Sequence, residues 1–327
     1  MTGERMCSIF RPRGRPIPWL RALLFMLTIA VTLAACAIFP AARQPAPATT
    51  PSPTPLTTLP PARYGATTRT NVAYGPLAQE TLDLCQPAGA SGPRPGVVLI
   101  HPGGFSAGGA SDLDPICSYL ASEGFIAASI NYRLAPASPW PAELVDAQLA
   151  VRWLRSQATA LSLDPHRLCS FGLSAGALLA VFLGELTNIH PGDEAALLTG
   201  ESPQTTCIVD DFGPVDIPQI LSNPADQQTA QSLLGGTPQT QKAVEHDASP
   251  IFFVSSATAP TLIVQGTRDV LVPPSQSDEL RRALEQHHVP VQYISYDGGH
   301  LFLGLAPQQT QATFAWQYAY LIAQEYP

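Results

Sequence analysis

The stretch Gly172-Leu173-Ser174-Ala175-Gly176 constrains this chain more than any other. Arg167-Leu168-Cys169-Ser170-Phe171, just before it, is short and mostly apolar, as a buried strand is. Ala177-Leu178-Leu179-Ala180-Val181-Phe182-Leu183, just after it, lacks Gly and Pro, as a buried helix does. A Ser between two glycines at a strand-to-helix turn sits where the backbone is too tight for neighbouring side chains. Its hydroxyl then stands above the sheet edge, at the partly positive end of the following helix. A Gly/Ser turn that merely starts a helix uses the same residues. The weight therefore falls on what the other strand ends carry.

Three more strand-like runs end in reactive groups. Val97-Val98-Leu99-Ile100 runs into His101-Pro102-Gly103-Gly104-Phe105. Leu262-Ile263-Val264-Gln265 runs into Gly266-Thr267-Arg268-Asp269, and Val291-Gln292-Tyr293-Ile294-Ser295-Tyr296 into Asp297-Gly298-Gly299-His300. In open α/β sheets, ligand chemistry gathers at the carboxyl ends of strands. Ile126-Ala127-Ala128-Ser129-Ile130-Asn131 reads as a central strand, and residues 143–158 carry a helical apolar pattern. Apolar strands alternating with helices predict a mostly parallel sheet with helices on both faces. Residues 70–74 and 81–85 alternate as an edge hairpin turned at Gly75-Pro76.

The predicted organisation is a leader over 1–35, a linker over 36–65 and one domain over 66–327. The leader carries Arg5, Arg11, Arg13, Arg15 and Arg21, then an uncharged apolar run from 22 to 35. That run is short for a membrane span, which needs about 20 apolar residues, and fits a secretory signal. It ends Leu33-Ala34-Ala35-Cys36, which resembles the lipobox of bacterial lipoproteins and makes Cys36 the expected lipid site. An ordinary signal cut nearby and a retained anchor are the alternatives. The linker is rich in Pro, Ala and Thr and reads as an extended tether. The localisation expected is exported and membrane-anchored through Cys36, outside the cytoplasm.

Net charge is −8 for the whole chain. The leader holds five Arg and one Glu, +4, so the remainder carries −12. With Lys242 as the only lysine, such a domain is a poor nucleic-acid binder. Beyond Cys7 and Cys36 stand Cys85, Cys117, Cys169 and Cys207, which allow three pairings. A Cys85–Cys117 bridge is one of them. Cys169 and Cys207, in predicted buried strands, read as free thiols packed like small apolar residues. No C-x-x-C and no His pair at ligand spacing is present, so neither metal nor cofactor is expected. The Gly-rich 101–109 loop lacks the G-K-[ST] ending of a phosphate cradle.

From about Tyr74 onward the chain resembles α/β-hydrolase esterases of the acetylxylan/feruloyl-esterase-like and hormone-sensitive-lipase-like groups. His101-Pro102-Gly103-Gly104-Phe105 resembles the H-G-G-G-[FW] oxyanion loop. Asn131-Tyr132-Arg133-Leu134-Ala135-Pro136 resembles Y-R-L-A-P, and Pro141 to Ala147 resembles the P-A-x-x-x-D-A helix start. Asp164-Pro165-His166-Arg167-Leu168 resembles the D-P-x-R-[IL] lead into the Ser strand, and residues 266–273 match G-x-x-D-x-x-V-P. Pro102 replaces the first Gly of the oxyanion loop; the family's donors are the next two N–H groups, so the swap should leave them intact. Leu173 stands where the lipase-like group often has Asp or Glu, which leans toward the feruloyl-esterase-like side. The Pro-rich tether occupies the place of that group's N-terminal helical cap.

The resemblance implies a fold, a reaction and roles. The chain order is oxyanion loop, Ser, acid, His. Ser174 would attack an ester carbonyl, His300 would take and return its proton, and Asp269 would orient His300. The N–H groups of Gly103, Gly104 and Ala175 would hold the oxyanion. Asp297 is the main rival acid, with Asp210, Asp211 and Asp216 at the preceding strand; His287 and His288 are rival bases. His166, His190 and His246 read as surface residues, and His101 as a shaper of the oxyanion loop. Residues 217–249 are expected to form a small helical excursion over the site that sets specificity. The substrate expected is a neutral small-molecule ester, of polysaccharide origin among other options. An amidase or peptidase of the same fold, and a non-catalytic binding protein on this scaffold, are the competing functions.

Overall fold

A computed structural model describes residues 60–185, 198, 200–222, 227–237 and 239–325. The leader at 1–35, Cys36, most of the Pro-rich stretch and His190 lie outside the described residues. The central runs of the sequence are apolar at consecutive positions, so they need cover on both faces. They obtain it in one eight-stranded sheet. Its strands are β1 (Gly65–Ala73), β2 (Thr81–Ala88), β3 (Arg94–Ile100), β4 (Ile126–Ile130), β5 (Leu163–Leu173), β6 (Ile208–Asp211), β7 (Thr261–Gly266) and β8 (Val291–Tyr296). Their spatial order is β1-β2-β4-β3-β5-β6-β7-β8. β1 and β2 pair antiparallel, β2 joins β4 antiparallel, and every later pairing is parallel. The edge hairpin expected from the sequence is therefore present, with its first strand starting at Gly65.

The period of two along each strand divides the core into two layers. Val98, Ile100 and Ile263 pack in one cluster; Val97, Leu99, Leu262 and Val264 pack in the other. The first layer is covered by α2 (Ala142–Ser156), α4 (Ala175–Glu185) and α8 (Pro274–Gln286), the second by α1 (Asp114–Ser122) and α9 (Pro307–Glu325). Between α2 and β5 lies the short α3 (Ala158–Leu161). Between β6 and β7 come α5 (Ile217–Leu221), α6 (Gln227–Leu234) and α7 (Lys242–Asp247), which form the helical excursion. Among the described residues no helix is long and apolar enough to cross a membrane.

The cysteines correct one expectation. Cys85 and Cys117 are bonded, with Cα atoms 5.8 Å apart. Cys169 and Cys207 are also bonded, at a Cα separation of 4.6 Å, and are not free thiols. The parallel register explains it. Ser170 lies opposite Ile208, so the preceding residues, Cys169 and Cys207, face each other between neighbouring strands. Burial of a small apolar residue and burial of half a disulfide look alike in sequence, and only strand register separates them.

Candidate active site

Four strand ends converge on one cavity. β5 ends at Leu173, and Ser174 follows with φ 54, a left-handed conformation that few side chains adopt. The turn is held because the Ser174 N–H donates to the Asp211 carbonyl at 2.9 Å, and α4 begins at once with Ala175. Gly176 is required by closeness: a Cβ there would collide with the carbonyl oxygens of Ile100 and His101. The Ser hydroxyl is thus fixed between β3 and β6, at the positive end of an eleven-residue buried helix.

Asp269 lies beyond β7, buried, and both of its oxygens are engaged. Oδ1 accepts from the N–H groups of Leu271 and Val272, each at 3.0 Å, and Oδ2 lies 2.6 Å from His300 Nδ1. His300, beyond β8, places Nε2 2.8 Å from Ser174 Oγ. With Oδ2 ionised, Nδ1 carries the ring proton and Nε2 is left to accept one from the hydroxyl. The loop around His300 is tied down on its far side. Tyr296 Oη donates to the Gly299 carbonyl at 2.9 Å, and the Leu303 N–H donates to the His300 carbonyl at 3.0 Å. Phe212, itself at φ 48, sets its ring edge against His300 at 4.9 Å between centroids.

The loop after β3 faces the same hydroxyl. Gly103 has φ 133, which only Gly tolerates, and its carbonyl accepts from the N–H groups of Ser106 and Ala107. Gly103, Gly104 and Ala175 line the cavity together with Ser174 and His300. His101 is buried, and its Nδ1 lies 2.7 Å from the Pro102 carbonyl; burial lowers its pKa, which keeps the ring neutral. Its ring stacks on Tyr132 at 4.2 Å, and Tyr132 Oη donates to the His101 carbonyl at 3.0 Å. Arg133 in turn makes a two-pronged pair with Asp146 of α2, at 3.0 Å from Nε and 2.7 Å from Nη2. The Ala135 N–H donates to the Phe105 carbonyl at 2.8 Å. The Asn131–Pro136 and Pro141–Ala147 motifs thus brace the loop from behind.

The rival residues go elsewhere. Asp297 is 82% exposed and pairs with Arg268 at 2.9 Å. Asp210 is buried, accepts from the Gly213 N–H and has its pKa raised to about 7 by burial. Asp211 is buried and receives Gln317 Nε2 of α9 on both oxygens, at 2.6 and 2.7 Å. Asp216 caps α5 through the Gln219 N–H. His287, His288 and His166 are exposed, and His246 stacks on Phe252 at 4.4 Å. Among the described residues no group of three His, Cys, Asp or Glu side chains is arranged to hold a metal.

The cavity holds about 280 Å³. Ile217, Ile220, Thr229 and Ala230 of the helical excursion line it, as do Leu271, Val272 and Leu301 from the loops after Asp269 and His300. Sequence reasoning missed the roles of Phe212, Gln317, Leu271 and Leu301. The first two act through space from neighbouring elements and carry no local signal. The two leucines follow Asp269 and His300 closely, and that adjacency is the one signal they had.

A Ser–His–Asp relay at the carboxyl edge of this sheet, with a Gly-rich loop facing the Ser, defines an α/β-hydrolase. The chain belongs to the BD-FAE family, whose model matches residues 82–284. It is 29% identical to the esterase LipC of Mycobacterium tuberculosis over 72% of this chain and 60% of that protein. It is 30% identical to the esterase LipQ of the same organism over 75% of this chain and 59% of that protein. The chain thus spans about three fifths of the length of these curated relatives. Among solved structures, a truncated carbohydrate esterase from gut microbiota superposes with a TM-score of 0.67 at 26% identity, covering 80% of this chain and 99% of that one.

Proposed function

We propose that this protein is a serine esterase that hydrolyses neutral carboxylic esters with small to medium acyl groups. The observation that carries the reading is the continuous relay from Asp269 Oδ2 through His300 to Ser174 Oγ, at 2.6 and 2.8 Å. Ser174 Oγ attacks the ester carbonyl as its proton passes to His300 Nε2. The carbonyl oxygen becomes an oxyanion in front of the N–H groups of Gly103, Gly104 and Ala175. The C–O bond breaks, His300 returns the proton to the departing alkoxide, and the acyl group remains on Ser174. Water, activated by the same imidazole, then releases the acid. The named esterase relatives support this chemistry, and the cavity in front of Ser174 has room for an acyl group.

Hydrolysis of p-nitrophenyl acetate, butyrate and octanoate, with Ser174→Ala alongside, tests it. Activity that falls with chain length and drops by about 10⁴-fold or more in the variant supports the proposal. Equal rates in both proteins, or none in either, overturn it and move attention to amide substrates. The same proposal includes export and lipidation of Cys36, supported by the basic start, the short apolar run and the Leu33-Ala34-Ala35-Cys36 ending. Cys36→Ser should shift the protein from the membrane fraction to the soluble one; an unchanged distribution removes the lipid anchor.

A further inference from the structure

We infer that the alcohol half of the ester is apolar and is bound between Leu271 and Leu301. The inference rests on the esterase reading and deepens it.

Two directions out of Ser174 are fixed by chemistry. The carbonyl oxygen must face Gly103, Gly104 and Ala175, which line the cavity with Ser174. The departing oxygen must face His300 Nε2, 2.8 Å from Ser174 Oγ, because that atom supplies its proton. The alcohol therefore leaves along the His300 side. Leu271, whose N–H donates to Asp269, and Leu301, directly after His300, line the same cavity from the loops that carry the acid and the base. Both are large apolar side chains left open at its mouth, 47% and 51% exposed. Leu301 also adopts φ 53 and ψ 39, a conformation in which a Cβ is disfavoured. A single exposed leucine means little, but two at one mouth present apolar surface that only an apolar group covers with gain. A sugar alcohol bound in their place would gain little from covering both leucines, because its hydroxyls would have to give up water where they meet them.

The test varies the alcohol at constant acyl group. Methyl, butyl and hexyl acetate are followed by acid release, beside acetylated xylobiose and a methyl acetate to methyl butyrate pair. A fully buried methylene is worth about fourfold, so partial cover predicts about twofold per methylene and about eightfold from methyl to butyl acetate in kcat/KM. Leu301→Asn and Leu271→Asn should flatten this alcohol series while the acyl pair keeps its original ratio. Asn accepts positive φ, so the first change adds no backbone strain. A flat alcohol series in the wild-type protein, or a preference for acetylated xylobiose that Leu301→Asn leaves untouched, overturns the inference while ester hydrolysis itself stands. Absence of any Ser174-dependent hydrolysis, p-nitrophenyl acetate included, overturns the esterase reading and takes this inference with it.

Discussion

The two sides of Ser174 are built differently. On the side proposed to hold the oxyanion, the His101–Phe105 loop is braced by the Tyr132 stack and hydrogen bond, the Arg133–Asp146 pair and the Ala135–Phe105 bond, most of it out of water. On the acid–base side, Asp269 and His300 sit on two surface loops whose next residues, Val270, Leu271, Leu301 and Leu303, are open to solvent. Groups that must meet charge developing in a transition state need fixed dipoles in a dry setting, and bracing supplies both. Groups that meet a variable substrate are better placed on loops at the rim. The acid–base side therefore orients its imidazole through the Asp269 carboxylate, with Tyr296 and Phe212 holding the His300 loop locally, whereas the other side spreads its order through a wider network.

That contrast ranks the expected damage. The largest effect beyond loss of Ser174 itself should come from Asp269→Asn. The amide oxygen still accepts from Leu271 and Val272, so the loop holds, but the amide nitrogen now faces His300 Nδ1. The ring proton then moves to Nε2, and the imidazole no longer accepts from Ser174. A fall in kcat of about 10⁴ with Tm nearly unchanged is expected. A fall of less than tenfold would break the picture of Asp269 as the group that orients His300.

Asp146→Asn strikes the network instead. It leaves the part-buried Arg133 guanidinium against a neutral partner; breaking a fully buried pair by one side typically costs about 3–5 kcal/mol, and this pair should cost less. Because Asp146 carries a pKa raised to about 6 by burial, against the pull of Arg133, part of the pair's attraction is already offset. Thermal unfolding should fall by about 5–10 °C, and kcat by about tenfold through a loosened oxyanion loop. A large kcat loss with unchanged Tm would mean that Asp146 acts on substrate and not on the scaffold.

Legibility in the sequence followed the same division. The parallel core was readable because Val97–Ile100 and Leu262–Val264 are short, apolar at every position and closed by Gly- or Pro-bearing turns, which suits strands covered on both faces and separates them from the buried helical run at 177–183. Ser174, Asp269 and His300 were readable as candidates because each ends a strand-like run. The structure brings these three together and sends Asp297 outward to Arg268. What stayed hidden depends on contacts between distant segments. Gln317 reaches Asp211 from the C-terminal helix, and Phe212 finds His300 only after the strands are ordered. The Cys169–Cys207 bond depends on strand register, which no local pattern of apolar residues specifies.

The smallest expected effect sharpens the comparison from the stability side. Glu143, at the start of α2 and behind the oxyanion loop, is buried, and among the described residues its oxygens find no partner beyond its own backbone. Burial raises its pKa to about 8. In the unfolded chain the same group titrates in the usual carboxylate range. Between about pH 4.5 and pH 8 the unfolded state therefore binds fewer protons than the folded state, and stability falls as pH rises through that window. Below it both states are protonated and the group contributes fully. Asp210, raised to about 7 on the same layer of the sheet, and Asp211, raised as well on the other, act with the same sign. Glu143→Gln removes one of these titrations while keeping the shape of the side chain. Its Tm should match the wild type near pH 4.5 and exceed it by a few degrees at pH 8, with the slope reduced but not abolished. Parallel Tm curves for the two proteins across that range would show that Glu143 is ionised in the fold. The dry setting of the oxyanion side, on which the contrast with the exposed acid–base loops depends, would then have to be abandoned.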